Sequence, residues 1–225
     1  MSTPTRVPWV VGVSGASGTA YAASVLRGLL AAGLPVDLVV SRAARLTLLD
    51  ETGVAWHDDA ASLRAWLAAR EAPVPDLGDV RFWSIGDLAA GPSSGSYPTV
   101  GMVVVPASTD AVAGIALGLS KDLLQRAAAV TLKESRPLVV VPREMPMQRA
   151  TLVHLLALAD AGAVVAPASP GWYAGVSDAW SLADFVAAKV LDAGGVPHEL
   201  MHRWTGELGE GRAAIEPGSA GHPPA

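Results

Sequence analysis

At 225 residues, 51% apolar and only 16% charged, the chain has material for one large core but little charge for solvating a small monomer's surface, which points to extensive subunit contacts. A net charge of -5 with scattered Lys and Arg gives no basic stripe for a phosphate backbone, so a nucleic-acid partner is not expected. The lack of cysteine excludes disulfides, thiolate zinc sites and cysteine nucleophiles.

The chain opens on MSTPTRVPWVVGVSGASG, which has one Arg and no extended apolar region before a cleavage site, so a cytoplasmic protein is expected. Short, mostly β-branched runs predict strands over 9–13, 36–40, 102–105, 138–141 and 163–166. None approaches the length of a bilayer span. Between them, apolar residues at three- and four-residue spacing predict helices over 17–32, 43–52, 109–119, 123–135, 148–161 and 182–193. Strand and helix alternate, which predicts an α/β protein, a doubly wound three-layer αβα sandwich with its ligand site beyond the carboxyl ends of the strands. Residues 54–100 form an irregular excursion with a helix over 62–70, a break at Pro73 to Pro75 and the polar turn GPSSGSYP. One domain is expected over 1–204. Past Trp204 the sequence TGELGEGRAAIEPGSAGHPPA has no apolar period, so 205–225 is expected to be a disordered tail.

Four stretches carry chemistry. VGVSGASG lies between the first strand and the first helix, where Gly12, Gly15 and Gly18 allow a tight turn and Ser14 and Ser17 add hydroxyls. Such a loop at a helix N-terminus suits a phosphate, although a plain turn with Ser17 as N-cap is the competing reading. In SRAARLTLLDET, Ser41 ends the second strand and either meets a ligand or caps the next helix, and Glu51 lies near that helix's end. PSSGSYP precedes the strand GMVVVPAST, which delivers Ser108 and Thr109 to the carboxyl edge of the sheet. Finally, LLQRAAAVTLKESRPLVVVPREMP gathers Arg126, Lys133, Arg136, Arg143 and Glu144, a density that suits a phosphate ester. For Arg136 alone, surface ion pairing is the favoured reading.

Trp172, Tyr173 and Trp204 occur in or beside turns and could enclose an apolar or cationic group. His198, Glu199 and His202 form HELMH, a match to HExxH. It leaves room for about two helical turns and no downstream third ligand, so no metal is expected.

Taken in order, VGVSGASG, SRAARLTLLDET, SSGS, PAST, the LLQR…PREMP block, ASPGWY and RW resemble the successive signature blocks of the UbiX flavin prenyltransferase family, over 9–204. The resemblance implies a flavodoxin-like Rossmann-type parallel sheet that binds FMN and dimethylallyl monophosphate. It further implies a metal-independent transfer of the prenyl group to N5 and C6 of reduced flavin, a homododecamer, and a UbiD-type decarboxylase that receives the product. Carried over, Gly15, Ala16, Ser17, Ser41, Ser108, Thr109 and Arg126 would hold FMN, with Ser17 by the reacting ring. Arg126, Lys133, Arg143 and Tyr173 would bind the prenyl phosphate. Glu144 would join that cluster, Glu51 would reach in from a neighbouring subunit, and Ser94 and Trp204 would line the prenyl pocket. Some members carry a Trp where this chain has Leu88, and Trp83 is the nearest substitute in sequence. Two alternatives are a cysteine decarboxylase, which would need a catalytic His and a PxMN motif where this chain has SSGSYP and PREM, and a noncatalytic flavin-binding subunit.

Overall fold

A computed structural model describes residues 6–172, 178–201 and 203. In chain order it runs β1 (Trp9–Val13), α1 (Thr19–Ala31), β2 (Val36–Val40), α2 (Arg42–Thr52), α3 (Ala60–Ala68) and β3 (Val80–Trp83). A single 3-10 turn, Gly91–Ser93, follows, then β4 (Gly101–Ala107), α4 (Thr109–Ala116), α5 (Leu123–Lys133), β5 (Leu138–Pro142), α6 (Arg149–Asp160), β6 (Val164–Val165) and α7 (Ala179–Ala193). Among the described residues no helix is long and apolar enough to cross a membrane.

All strand pairs are parallel, in the order β3-β2-β1-β4-β5-β6. Five of them, taken without β3, give the flavodoxin-like order, and β3 extends the sheet at its β2 edge. The near-continuous apolarity of β1, β2, β4 and β5 follows from burial on both faces. Along β1, Trp9, Val11 and Val13 pack under α1, α2, α3 and α7, while Val10 joins the opposite core beneath α4, α5 and α6. That alternation is the strand period of two acting on a three-layer sandwich.

The sequence does not reveal β3. Its four residues, VRFW, are half-buried or exposed at the sheet edge, so they lack the apolar run that marks the central strands. The excursion over 54–100 is therefore part of the sheet, contributing α3 and β3. Side-chain caps fix several helix starts: Ser41, Asp59, Ser108, Asp122 and Asp178 each accept a hydrogen bond from the third residue beyond. The tail over 205–225 lies outside the described residues.

Candidate active site

The strand numbering reverses on either side of β1, which has β2 on one side and β4 on the other. The loops that leave these three strands converge beyond the carboxyl edge, where doubly wound sheets open a crevice. A cleft of about 610 Å³ lies there, with Gly15, Ser41, Ser108 and Thr109 in its lining and Lys121 and Gln125 entering from the start of α5.

Local packing explains the glycine and serine pattern. A Cβ on Gly15 would collide with Ala43 Cβ, so the first loop must be bare where the start of α2 crosses it. The Ser14 hydroxyl donates to Pro106 O (2.8 Å) and accepts from Ser108 N (2.7 Å). It therefore staples the β1 loop to the β4 loop, where the sequence suggested a ligand donor. Ala16 is buried, and its N–H is spent on Ser14 O at 2.9 Å. Ser41 and Ser108 accept from Ala44 N (3.1 Å) and Ala111 N (3.3 Å) as N-caps, yet each keeps a hydroxyl proton to donate. The capping role of both serines is thus seen, and both also line the cleft, because α2 and α4 begin there and point their orphan amides and positive dipole ends into it.

At the start of α1 the outcome differs from the sequence reading. Ser17 does not cap this helix; the N-cap is Gly18, which has no side chain to offer. Glu51, from the last turn of α2, supplies the carboxylate instead. Its Oε1 accepts from Gly18 N (2.7 Å), and its Oε2 accepts from Thr19 N (2.8 Å) and Thr19 Oγ1 (2.6 Å). Burial opposes ionisation of Glu51, but hydrogen bonds from Thr19, Gly18 and Ser17 outweigh it and hold the carboxyl below its ordinary value. Within this chain Glu51 serves the first loop and engages Ser17, whereas the resemblance implied a residue reaching in from a neighbouring subunit. The anion place at this helix is already taken by that carboxylate. The helix N-termini left open at the cleft are those of α2 and α4, and Lys121 and Arg42 are the cations in its lining. The sequence reading missed both. The usable signal was their position, one residue before an Asp cap and one after a Ser cap at the carboxyl edge.

The cation-rich block divides. Arg143 follows the exit of β5, donates its backbone N–H to Ala107 O, and lays its side chain against Gly18, with Nε buried and without a hydrogen-bond partner among the described residues. Glu144 is exposed, and its carboxylate accepts from Met145 N at 3.0 Å rather than meeting the other charges. Lys133 ends α5, ahead of the entry to β5, and pairs with Glu134. Five strand residues separate that entry from Arg143, roughly 16 Å at the rise of a parallel strand. Arg126, in the first turn of α5, directs Nε to Ser93 O at 3.0 Å, beside the segment that carries Ser94. One chain therefore brings Ser17, Glu51, Arg143, Ser41, Ser108 and Thr109 to one edge of the sheet. Arg126, Lys133 and Ser94 form a second group along α5.

Arg136 is not a surface ion-pair residue. Its guanidinium donates to Tyr97 O (2.9 Å), Thr99 Oγ1 (3.0 Å) and Gly95 O (2.9 Å). Trp83 donates Nε1 to Asp37 Oδ1 (3.0 Å) and packs against the α5-side core, so it does not stand in as a pocket wall, while Leu88 is exposed. Trp172 is exposed, and Tyr173, His202 and Trp204 lie outside the described residues. His198 of the HELMH stretch meets Asp192 Oδ1 at 3.1 Å.

The Flavoprotein family matches residues 2–191. The flavin prenyltransferase UbiX of Streptomyces coelicolor is 64% identical over 213 residues, covering 92% of this chain and 99% of that protein. Among solved structures, AnUbiX (PadA1) in complex with FMN and dimethylallyl pyrophosphate is 34% identical with a TM-score of 0.78, covering 90% of this chain and 99% of the other. A dodecameric FMN-dependent UbiX-like decarboxylase from Escherichia coli O157:H7, also 34% identical, has a TM-score of 0.76 and covers 89% of this chain and 100% of its own.

Proposed function

As the chain belongs to the UbiX family of flavin prenyltransferases, we propose that it transfers the dimethylallyl group of dimethylallyl monophosphate to N5 and C6 of reduced FMN, with release of inorganic phosphate. When bound, the reduced flavin supplies the nucleophilic nitrogen and carbon. The carboxyl-edge cleft fits a flavin mononucleotide: its volume of about 610 Å³ is in the range of ligand pockets, and the phosphate has two helix N-termini, Lys121 and Arg42 to meet it. Ser41 and Ser108 would add hydroxyl protons, and the bare face of Gly15 would admit the ligand closely.

The Ser17–Glu51 pair supplies an ionised carboxylate and a hydroxyl at the mouth of the first loop, an arrangement that keeps negative charge there and orients the hydroxyl. Arg143 would bind the donor phosphate as the allylic C–O bond breaks, since its unpartnered Nε calls for an anion. Arg126, Lys133 and Ser94 would complete the donor side from another copy of the chain, because β5 keeps Lys133 away from Arg143 within one copy. Exposed Leu152, Val153 and Leu156 on α6 and Leu46 and Leu49 on α2 supply apolar surface for such contacts, and the Escherichia coli relative is described as dodecameric. Closure between copies would exclude water from an allylic cation. A homododecamer that hands prenylated FMN to a UbiD-type decarboxylase completes the proposal.

The observation that carries this reading is the presence of two separate cation sets, Lys121 with Arg42 in the cleft and Arg143, Arg126 and Lys133 outside it. Flavin storage needs only the first. Decarboxylation by the chain itself has no support in SSGSYP and PREM, which lack the His and the PxMN motif that chemistry would require. The test is phosphate release from dimethylallyl monophosphate under anaerobic conditions. Release that requires reduced FMN and matches flavin consumed is expected, whereas no release with flavin fully bound would defeat the proposal.

A further inference from the structure

The segment from Gly91 to Thr99 is held far more firmly than a surface connection requires. Tyr97 is fixed at both ends: its carbonyl accepts from Arg136 Nη1 (2.9 Å), and its phenol donates to Asp37 Oδ2 (2.9 Å) while accepting from Arg81 Nη1 (2.8 Å). Asp37 lies fully buried within β2, and its other oxygen takes the Trp83 indole N–H at 3.0 Å. Burial raises the Asp37 carboxyl above its ordinary value, and the bonds from Trp83 and Tyr97 offset part of that effect. A buried carboxylate is costly, and an apolar residue at this strand position would stabilise the sheet more simply. The second fastening is Arg136, whose fork also reaches Gly95 O (2.9 Å) and Thr99 Oγ1 (3.0 Å). Among the described residues no carboxylate forms an ion pair with it.

The held segment bears directly on the α5 group. Ser93 O receives Arg126 Nε at 3.0 Å, which sets the plane of that guanidinium while its terminal nitrogens form no hydrogen bond among the described residues. Gly95 lies so close to the Lys133–Glu134 pair that a Cβ there would run into both side chains. Ser94 lies between these two contacts.

We propose that Arg136 and Tyr97 are positioning residues for prenyl transfer, acting through the backbone of this segment to aim Arg126, Lys133 and Ser94 at the donor phosphate. The inference rests on the prenyltransferase reading. Neither residue lines the flavin cleft, so their loss acts on the donor and not on FMN.

The experiment uses the full-length protein with Arg136→Ala, Arg136→Lys and Tyr97→Phe. FMN affinity is measured by fluorescence titration, steady-state kinetics are run with varied dimethylallyl monophosphate at saturating reduced FMN, and assembly is followed by sedimentation. Arg136→Ala should raise the donor KM by about tenfold, with kcat falling less and FMN affinity unchanged. Arg136→Lys, which keeps the charge without the planar fork, should recover only part of that loss, and Tyr97→Phe should raise KM by about threefold. An unchanged donor KM overturns the inference, as does loss of FMN binding or of assembly in parallel with activity. An inactive wild type defeats the prenyltransferase reading itself, a result distinguishable from an active wild type with unaffected variants.

Discussion

Lys133→Ala and Arg143→Ala put lesions at opposite ends of β5, and the separation predicts behaviour that a site within one chain would not show. On the proposed function each truncation would remove a charged contact to the donor phosphate, worth about 1.5–3 kcal/mol, so each purified variant should lose roughly ten- to a hundredfold in prenyl transfer. Lys133 is absent from the cleft lining, so its variant should bind FMN as the wild type does. If the α5 group of one copy completes the carboxyl-edge group of another, mixed oligomers regain intact sites. Co-expression of the two variants at equal levels with random assembly gives each half-site a one-in-two chance of being intact, so about a quarter of the sites recover both cations. The assay is phosphate release per bound FMN for each variant alone, for the co-expressed mixture, and for the pure variants combined without subunit exchange. Recovery toward a quarter of wild-type activity only in the co-expressed sample is expected. A co-expressed sample no more active than the variants alone would refute the division of the site.

Glu51→Gln should weaken the start of α1 by about 1 kcal/mol, because the amide nitrogen cannot accept from the Gly18 and Thr19 amides as both carboxylate oxygens do. The Glu51 carboxyl is held below its ordinary value when folded, so its stabilisation is present above the unfolded-state pKa and is lost as the pH falls through the folded one. Urea unfolding should therefore separate wild type from Glu51→Gln at neutral pH and bring them together in acid; a gap that persists in acid would contradict the linkage. Lys121→Ala should lower FMN affinity by about tenfold without changing the donor KM, as read by flavin fluorescence and kinetics at saturating flavin. Gly15→Val should abolish FMN binding and also lower the melting temperature, because its side chain strikes Ala43 as well as entering the cleft. A stable Gly15→Val protein with wild-type flavin affinity would show that the first loop lies elsewhere.

The central fold was legible because its strands are covered on both faces, so β1, β2, β4 and β5 read as apolar runs, broken only by Asp37 in β2, that end at Gly, Ser or Pro. The edge strand β3 was hidden by its Arg and its half-exposed face. In the site, Ser41 and Ser108 could be placed from the ends of their strands, and the structure adds that the helices they cap, α2 and α4, start at the cleft. Lys133 and Arg143 looked like one cluster because they are near in sequence, and the extended strand between them is what separates them. Conversely, Glu51 and Gly18 are joined across two elements by a contact that no local pattern encodes. Arg136 read as surface charge because its partners are two backbone carbonyls and the Thr99 hydroxyl, with no carboxylate in the sequence pattern to mark them.

Mass spectrometry of the flavin recovered after anaerobic incubation of the protein with reduced FMN and dimethylallyl monophosphate decides whether the protein prenylates flavin. FMN heavier by one C5H8 unit is expected, formed only when protein, reduced flavin and donor are all present. Recovery of unmodified FMN from a protein shown to be fully loaded with flavin would contradict it.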